Sequence, residues 1–413
     1  MSAGETRTAA PMRVLFVVQR YGPDVPGGAE SLCRELATRL AARGHVAHVA
    51  TTCARSYADW ADEYEAGTST VDGVVLHRFP VARTRDAAQF ADVSARVTTG
   101  IEPDALELQE EWMRLQGPWT PALVEWLETH CEEFDVAVFV TYLYWTSWAP
   151  LRALAGRIPA LLVPTAHDEP TLRLPLLNLL FALPDALGFL TEEEAALVRA
   201  RFPGAPPGAV LGAGVEVDAA TAPGAAEEFR ARYGLGDRPY LVVVGRLDPA
   251  KGSDELVDYF VAYRARNPQR DLALVVVGEP MYELAAAADV IVTGFVDEAT
   301  RRAAVAGATV AVQPSYFESF SLVLAEAWAE AKPALVQRAC AVTNGQVHRS
   351  GGGIPYRGYA EFEAALDLLL DSPQLAAALG ARGRRYVEDH YRWETVLPGY
   401  ERVLRALART ASA

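Results

Sequence analysis

The chain has 413 residues, 51% of them apolar, and a formal net charge of −15. That length predicts two domains of roughly 200 residues each, with ample apolar content for two cores. The acidic balance excludes nucleic acid and an anionic membrane surface as partners, since both need a basic footprint, but not a small anion held by a few local cations.

Residues 1–11 are small and polar and read as a loose tail, not a signal peptide. Residues 13–18 form a β-branched apolar run, expected as a buried parallel strand. A turn-rich loop follows at 21–30, then a helix to about Arg43, stopped by Gly44, and a strand at 46–51, completing a βαβ unit. Further strands are predicted at 74–79, 136–141, 160–164 and 186–190, with a tryptophan-bearing helical insert at 103–133. The apolar run 174–190 is broken by Asn178, Pro184 and Asp185, so it reads as a buried helix and strand, with no transmembrane segment. Proline- and glycine-rich text at 203–224 marks the domain boundary. Strands then recur at 240–244, 272–277, 290–293, 309–313 and 334–336. Helices are expected at 254–266, 297–306, 319–331, 359–370 and 393–407. Two such arrays predict an α/β protein of two doubly wound, Rossmann-like parallel sheets, with ligands at the carboxyl ends of the strands in an interdomain cleft. The four cysteines (Cys33, Cys53, Cys131 and Cys340) are scattered without a C-x-x-C, which fits a reduced, cytoplasmic setting.

Residues 310–327 carry the chemistry: a buried strand, a Pro-Ser turn, and a helix entered at Ser319 or Phe320. Main-chain N–H groups of Ser319, Phe320, Ser321 and Leu322 would form an anion site at the positive end of the helix dipole. Glu318 and Glu326 flank that site, and an ionised carboxylate accepts several sugar hydroxyls. A nucleotide sugar combines both needs, a diphosphate between polyols. Residues 242–252 deliver Arg246 and Lys251, after Gly245, to the end of another strand, where two cations can neutralise a diphosphate. Gly28, in a Gly-Gly-Ala-Glu loop after the first strand, lets backbone amides approach a phosphate or sugar. That loop is not a G-x-G-x-x-G fingerprint. Residues 212–217 begin like one but lack the third glycine, and are taken as the interdomain hinge.

His167 and Asp168 follow a buried strand and are expected to face the cleft. Phe295 and Val296 end another strand, lining a base pocket or packing in the core. Tyr142, Tyr144, Trp145 and Trp148 suit sugar C–H faces or a hydrophobic aglycone, or ordinary packing. No strand end offers an Asp-x-Asp, and neither a metal nor a separate cofactor is expected.

Glu318 and Glu326, eight apart, resemble the E-x7-E motif of family 4 retaining glycosyltransferases, which have the GT-B fold. Residues 245–252 are similar to that family's G-R-x(3–5)-K-G element. The resemblance implies a nucleoside diphosphate sugar donor and a saccharide, lipid-linked or small-metabolite acceptor. It places Arg246 and Lys251 on the diphosphate, Glu326 on the ribose and Glu318 on the hexose. His167 would reach the transferred sugar, the Gly28 loop would face donor and acceptor, Phe295 or Val296 would line the base, and Asp168, Tyr144 and Trp145 are acceptor-side candidates. Attack on the face the diphosphate leaves, with the donor phosphate taking the acceptor's proton, is implied as well. The expected domains are 12–212 (acceptor side), 213–390 (donor side) and a C-terminal helix, 391–413, crossing back onto the first. Ser319-Phe320-Ser321 departs from the Gly-Phe-Gly of many members, and the tract 342–353 has no assigned role. A GT-B epimerase or phosphorylase, and a non-catalytic nucleotide- or carbohydrate-binding protein, are the competing readings.

Overall fold

Short β-branched and aliphatic runs build two sheets in the computed structural model, which describes residues 10–25, 27–98, 105–218, 221–282 and 289–411. Most of the tail expected at 1–11 lies outside the described residues. The first sheet comprises β1 (Arg13–Val17), β2 (Val46–Thr52), β3 (Gly67–Val71), β4 (Val74–Phe79), β5 (Val136–Val140), β6 (Ala160–Val163), β7 (Ala186–Phe189) and β8 (Gly208–Val210). Their order is β3-β4-β2-β1-β5-β6-β7-β8, parallel except for β3, which pairs antiparallel with β4. The second sheet holds β9 (Tyr240–Val244), β10 (Ala273–Val277), β11 (Val290–Val292), β12 (Val310–Gln313), β13 (Ala334–Gln337) and β14 (Gly353–Tyr356). Its order is β11-β10-β9-β12-β13-β14, parallel throughout.

Both sheets are doubly wound. Chain order reverses at β1, flanked by β2 and β5, and at β9, flanked by β10 and β12. In the second sheet, alternation along each strand feeds two buried layers. Leu241, Val243, Leu274, Val276, Val310 and Val312 pack with helices Ser253–Arg266 and Tyr359–Asp371 on one face. Tyr240, Val242, Ala273, Val275 and Ala311 pack with helices Ala225–Arg232 and Glu298–Ala306 on the other.

The chain divides into two compact units, one running to Leu211 and taking in the chain from Leu397 onward, the other Gly212–Val396. Residues 391–396, expected with the C-terminal helix, thus group with the second unit. That helix spans Trp393–Ala411. Within the first unit its Glu401 accepts from His45 Nε2 at 2.9 Å and pairs with Arg43 at 2.9 Å. All four cysteines are buried and free. Among the described residues no helix is long and apolar enough to cross a membrane.

Elements outside the expected set have weak sequence signals. β3 is polar and almost wholly exposed, an edge strand with no apolar alternation. The tract 342–353, read as glycine-rich text, is a helix, Ala341–Ser350, leading into β14. Gly352 is required there by a close approach: a Cβ on it would lie 2.6 Å from Nε1 of the buried Trp328, which donates to the Gly352 carbonyl at 2.9 Å.

Candidate active site

The reversal at β9 brings the loops after β9 and β12 side by side at their carboxyl ends, where open α/β sheets bind ligands. After β9 the chain passes through the exposed Gly245 and Arg246, and Leu247 N–H then bonds the Glu279 carbonyl at 3.1 Å. A 3-10 turn, Pro249–Lys251, ends at Gly252, the N-cap of helix Ser253–Arg266. Gly252 has φ 65°, and a Cβ there would sit 2.6 Å from the Pro314 carbonyl and 3.2 Å from the Tyr316 ring. The missing side chain lets the two loops touch.

That contact sets up the central pairing. Lys251 Nζ donates to Glu318 Oε1 at 2.9 Å, and Glu318 is largely buried while Lys251 is half exposed. Gln313, the buried last residue of β12, lies 3.3 Å through Nε2 from the same Glu318 oxygen and donates to Ser321 Oγ at 2.6 Å. Lys251 and Glu318 are 67 residues apart, so the sheet topology, not local spacing, joins them.

The expected helix start needs correction. The helix is Leu322–Ala329, and Ser321 is its N-cap at φ 69°, outside the helical region. Of Ser319, Phe320, Ser321 and Leu322, only Leu322 is helical. The N–H groups that the helix ladder leaves without an acceptor are those of Leu322 and Val323. The Phe320 side chain is 2% exposed and packs edge-on against Tyr391 at 4.8 Å, and the Phe320 carbonyl accepts from Gln346 Nε2 at 2.9 Å. Gln346 belongs to the tract that sequence left without a role.

Glu326 lies on the second turn of that helix. Arg301, from helix Glu298–Ala306, reaches both its oxygens, with Nη2 donating to Oε1 at 3.0 Å and Nη1 bonded to Oε2. Arg301 also donates to Glu298 at 2.7 Å. Burial lowers the guanidinium's proton affinity, but the carboxylates of Glu326 and Glu298 outweigh it and hold its pKa above the usual range. The only sequence trace of Arg301 is its place on a helix neighbouring the Glu326 strand-turn-helix. Phe295, beyond β11, is 74% exposed, whereas Val296 is partly buried against the core.

In the first unit Gly28 opens helix Gly28–Ala42. Glu30, two residues on, is buried and taken up by Gln19 Nε2 at 2.8 Å and Arg20 Nε at 3.0 Å. Tyr144, the N-cap of helix Trp145–Leu154, is pushed up to about 12 by burial and then by the Glu30 carboxylate. Trp145, read as an acceptor-side candidate or as ordinary packing, is 7% exposed within the core, which favours packing. Asp168 lies at the surface, where it accepts from Arg173 at 3.0 Å. His167 is partly buried with Nδ1 3.7 Å from Glu169 Oε1. Sequence reasoning passed over Glu194, whose fully buried carboxylate accepts the Ala166 and Leu190 N–H groups at 2.6 Å each and so ties down the His167 loop. Burial pushes it up to about 8 against those main-chain donors.

Residues 238–372 match the family described as glycosyl transferases group 1. The chain is 32% identical over 200 residues to a GDP-mannose-dependent alpha-(1-6)-phosphatidylinositol monomannoside mannosyltransferase of Mycolicibacterium smegmatis, covering 44% of this chain and 52% of that protein. It thus spans about half the length of that relative. A D-inositol 3-phosphate glycosyltransferase of Jonesia denitrificans is 26% identical over 405 residues, 91% of each chain. In three dimensions the sucrose-phosphate synthase of Thermosynechococcus elongatus superposes with a TM-score of 0.71 at 19% identity, over 98% of this chain and 100% of that one. The fold is GT-B, as the resemblance implied.

Proposed function

We propose that the chain is a family 4, E-x7-E glycosyltransferase that moves a sugar from a nucleoside diphosphate to a hydroxyl acceptor with retention of anomeric configuration. The observation that carries this is the junction of Lys251 with Glu318 beside the β9 reversal, with Glu326 presented on the helix that follows. The matched segment 238–372 contains all of these residues. The named activities of the two relatives point the same way.

In this reading Arg246, Lys251 and the N–H groups of Leu322 and Val323 stabilise the departing diphosphate by fixed charge and dipole, without need of a metal ion. Glu326, oriented by Arg301, receives the ribose hydroxyls, and Glu318 receives a hydroxyl of the transferred sugar. Glu318 already bonds the Lys251 ammonium, so it acts as a positioning group and not as a nucleophile. The leaving phosphate then takes the acceptor's proton on the face it vacates. His167 and Tyr144 are assigned to the sugar and acceptor, and Phe295 and Val296 to the base. A nucleotide sugar serves as co-substrate, and no separate cofactor is needed.

A thermal-shift screen with UDP, GDP, ADP and dTDP tests the donor assignment, since a ligand that binds only the folded state raises its melting temperature. One nucleotide is expected to stand out, and its sugar conjugate to yield glycosylated product with a suitable hydroxyl acceptor. Product formed from the donor with no acceptor present would favour the epimerase. Binding without turnover across a broad acceptor panel would favour the non-catalytic protein.

A further inference from the structure

The turn ahead of helix Leu322–Ala329 holds a backbone strain that diphosphate binding alone does not use. Ser321 sits at φ 69° and ψ 77°, a conformation that a residue with a Cβ adopts only where its surroundings enforce it. Its side chain is buried, at 4% exposure, and its hydroxyl accepts from Gln313 Nε2 at 2.6 Å. The same amide nitrogen lies 3.3 Å from Glu318 Oε1, which also receives Lys251 Nζ at 2.9 Å. Gln313 ends a central strand of the sheet, so its backbone is fixed. The described contacts of the Glu318 carboxylate therefore all fall on Oε1.

We infer that Ser321 and Gln313 are positioning residues that hold Glu318 by Oε1 and leave Oε2 to accept from hydroxyls of the transferred sugar. This rests on the nucleotide-sugar reading above. A glycine at 321 would adopt the same backbone without strain but would supply no hydroxyl. The Gln313 amide would then lose its shorter bond, and the Glu318 carboxylate would lose a fixed neighbour. The strain at Ser321 is thus offset by a hydrogen bond whose effect is felt at Glu318. One carboxylate oxygen has two lone pairs and accepts from at most two hydroxyls, so discrimination should concentrate on one neighbouring pair of sugar hydroxyls.

The test is isothermal titration of the wild type, Ser321→Gly, Ser321→Ala and Gln313→Leu with UDP, GDP, ADP and dTDP and with UDP-glucose, GDP-mannose, ADP-glucose and dTDP-glucose. In whichever pair the wild type binds, affinity for the nucleoside diphosphate should stay within about twofold in all variants. The ratio of sugar-nucleotide to nucleoside-diphosphate affinity should fall about three- to tenfold, the range of one hydrogen bond. Ser321→Gly should melt no lower than the wild type, because its strain is relieved, so its loss of sugar recognition is not a loss of fold. An unchanged ratio in both Ser321→Gly and Gln313→Leu would overturn the inference. Equal weakening of both ligands would overturn it too, since that marks a purely structural role. If the wild type binds none of UDP, GDP, ADP and dTDP or their sugar conjugates, the nucleotide-sugar reading itself fails and takes the inference with it.

Discussion

Replacing Gly252 with alanine tests the contact on which the site's assembly depends. Two costs add. At φ 65° a Cβ costs about 1–2 kcal/mol. The new methyl also meets the Pro314 carbonyl at 2.6 Å and the Tyr316 ring at 3.2 Å. Relieving that overlap by backbone movement costs about 1–3 kcal/mol more. Gly234→Ala is the control, because Gly234 has nearly the same φ, 66°, with nothing within 4 Å of the position its Cβ would take. Urea denaturation of both variants should show Gly234→Ala losing about 1–2 kcal/mol and Gly252→Ala about 2–5 kcal/mol. The excess should come with weaker nucleoside diphosphate binding, because the same movement parts Lys251 from Glu318. Equal destabilisation in the two variants would refute the claim that the two loops are in close contact at Gly252.

Arg301→Gln removes the fork on Glu326 and is expected to weaken nucleoside diphosphate binding about tenfold, the scale of one charge-assisted interaction; unchanged affinity by titration calorimetry would count against a ribose role for Glu326. Burial, then the nearby His48 and His130, lower His77 to about 4 from its ordinary 6.5. The unfolded chain therefore binds more protons between those values, and stability present above pH 6.5 is lost as pH falls toward 4. Comparing urea midpoints of wild type and His77→Gln across that window should show a shallower fall in the variant. Glu194 acts in the opposite sense: its folded pKa is raised to about 8, so the folded chain holds the extra proton and stability falls as pH rises from about 4.5 through 8. Glu194→Gln should flatten that decline between pH 6.5 and 8, and a slope matching the wild type would show that another group carries it.

How much was legible depends on where the signal is stored. β9, β10 and β12 announce themselves as β-branched runs because both faces of the second sheet are covered, and β4 was bounded correctly although only Val74 and Leu76 of it are fully buried. β3, polar and at an edge, carries no such imprint. Arg246, Lys251, Glu318 and Glu326 were legible as residue types at strand ends, but their partners were not. Lys251 meets Glu318 through strand order, and Arg301 meets Glu326 through helix packing on the sheet, and neither appears as a spacing. The helix start was misplaced by two or three residues because Ser321 takes a backbone angle that sequence assigns to glycine. Trp145 was read by chemistry alone, which does not distinguish an aromatic that faces a ligand from one that fills a core. The glycines at 351–353 were opaque for a similar reason: Gly352 is required by Trp328, 24 residues away.

The most direct test is diffraction from crystals soaked with the nucleoside diphosphate that raises the melting temperature most. The diphosphate is expected within hydrogen-bonding distance of Arg246 and Lys251, over the N–H groups of Leu322 and Val323, with the ribose on Glu326. A diphosphate bound elsewhere on the chain, or Arg246 and Lys251 turned away from it, would contradict the assignment of this site.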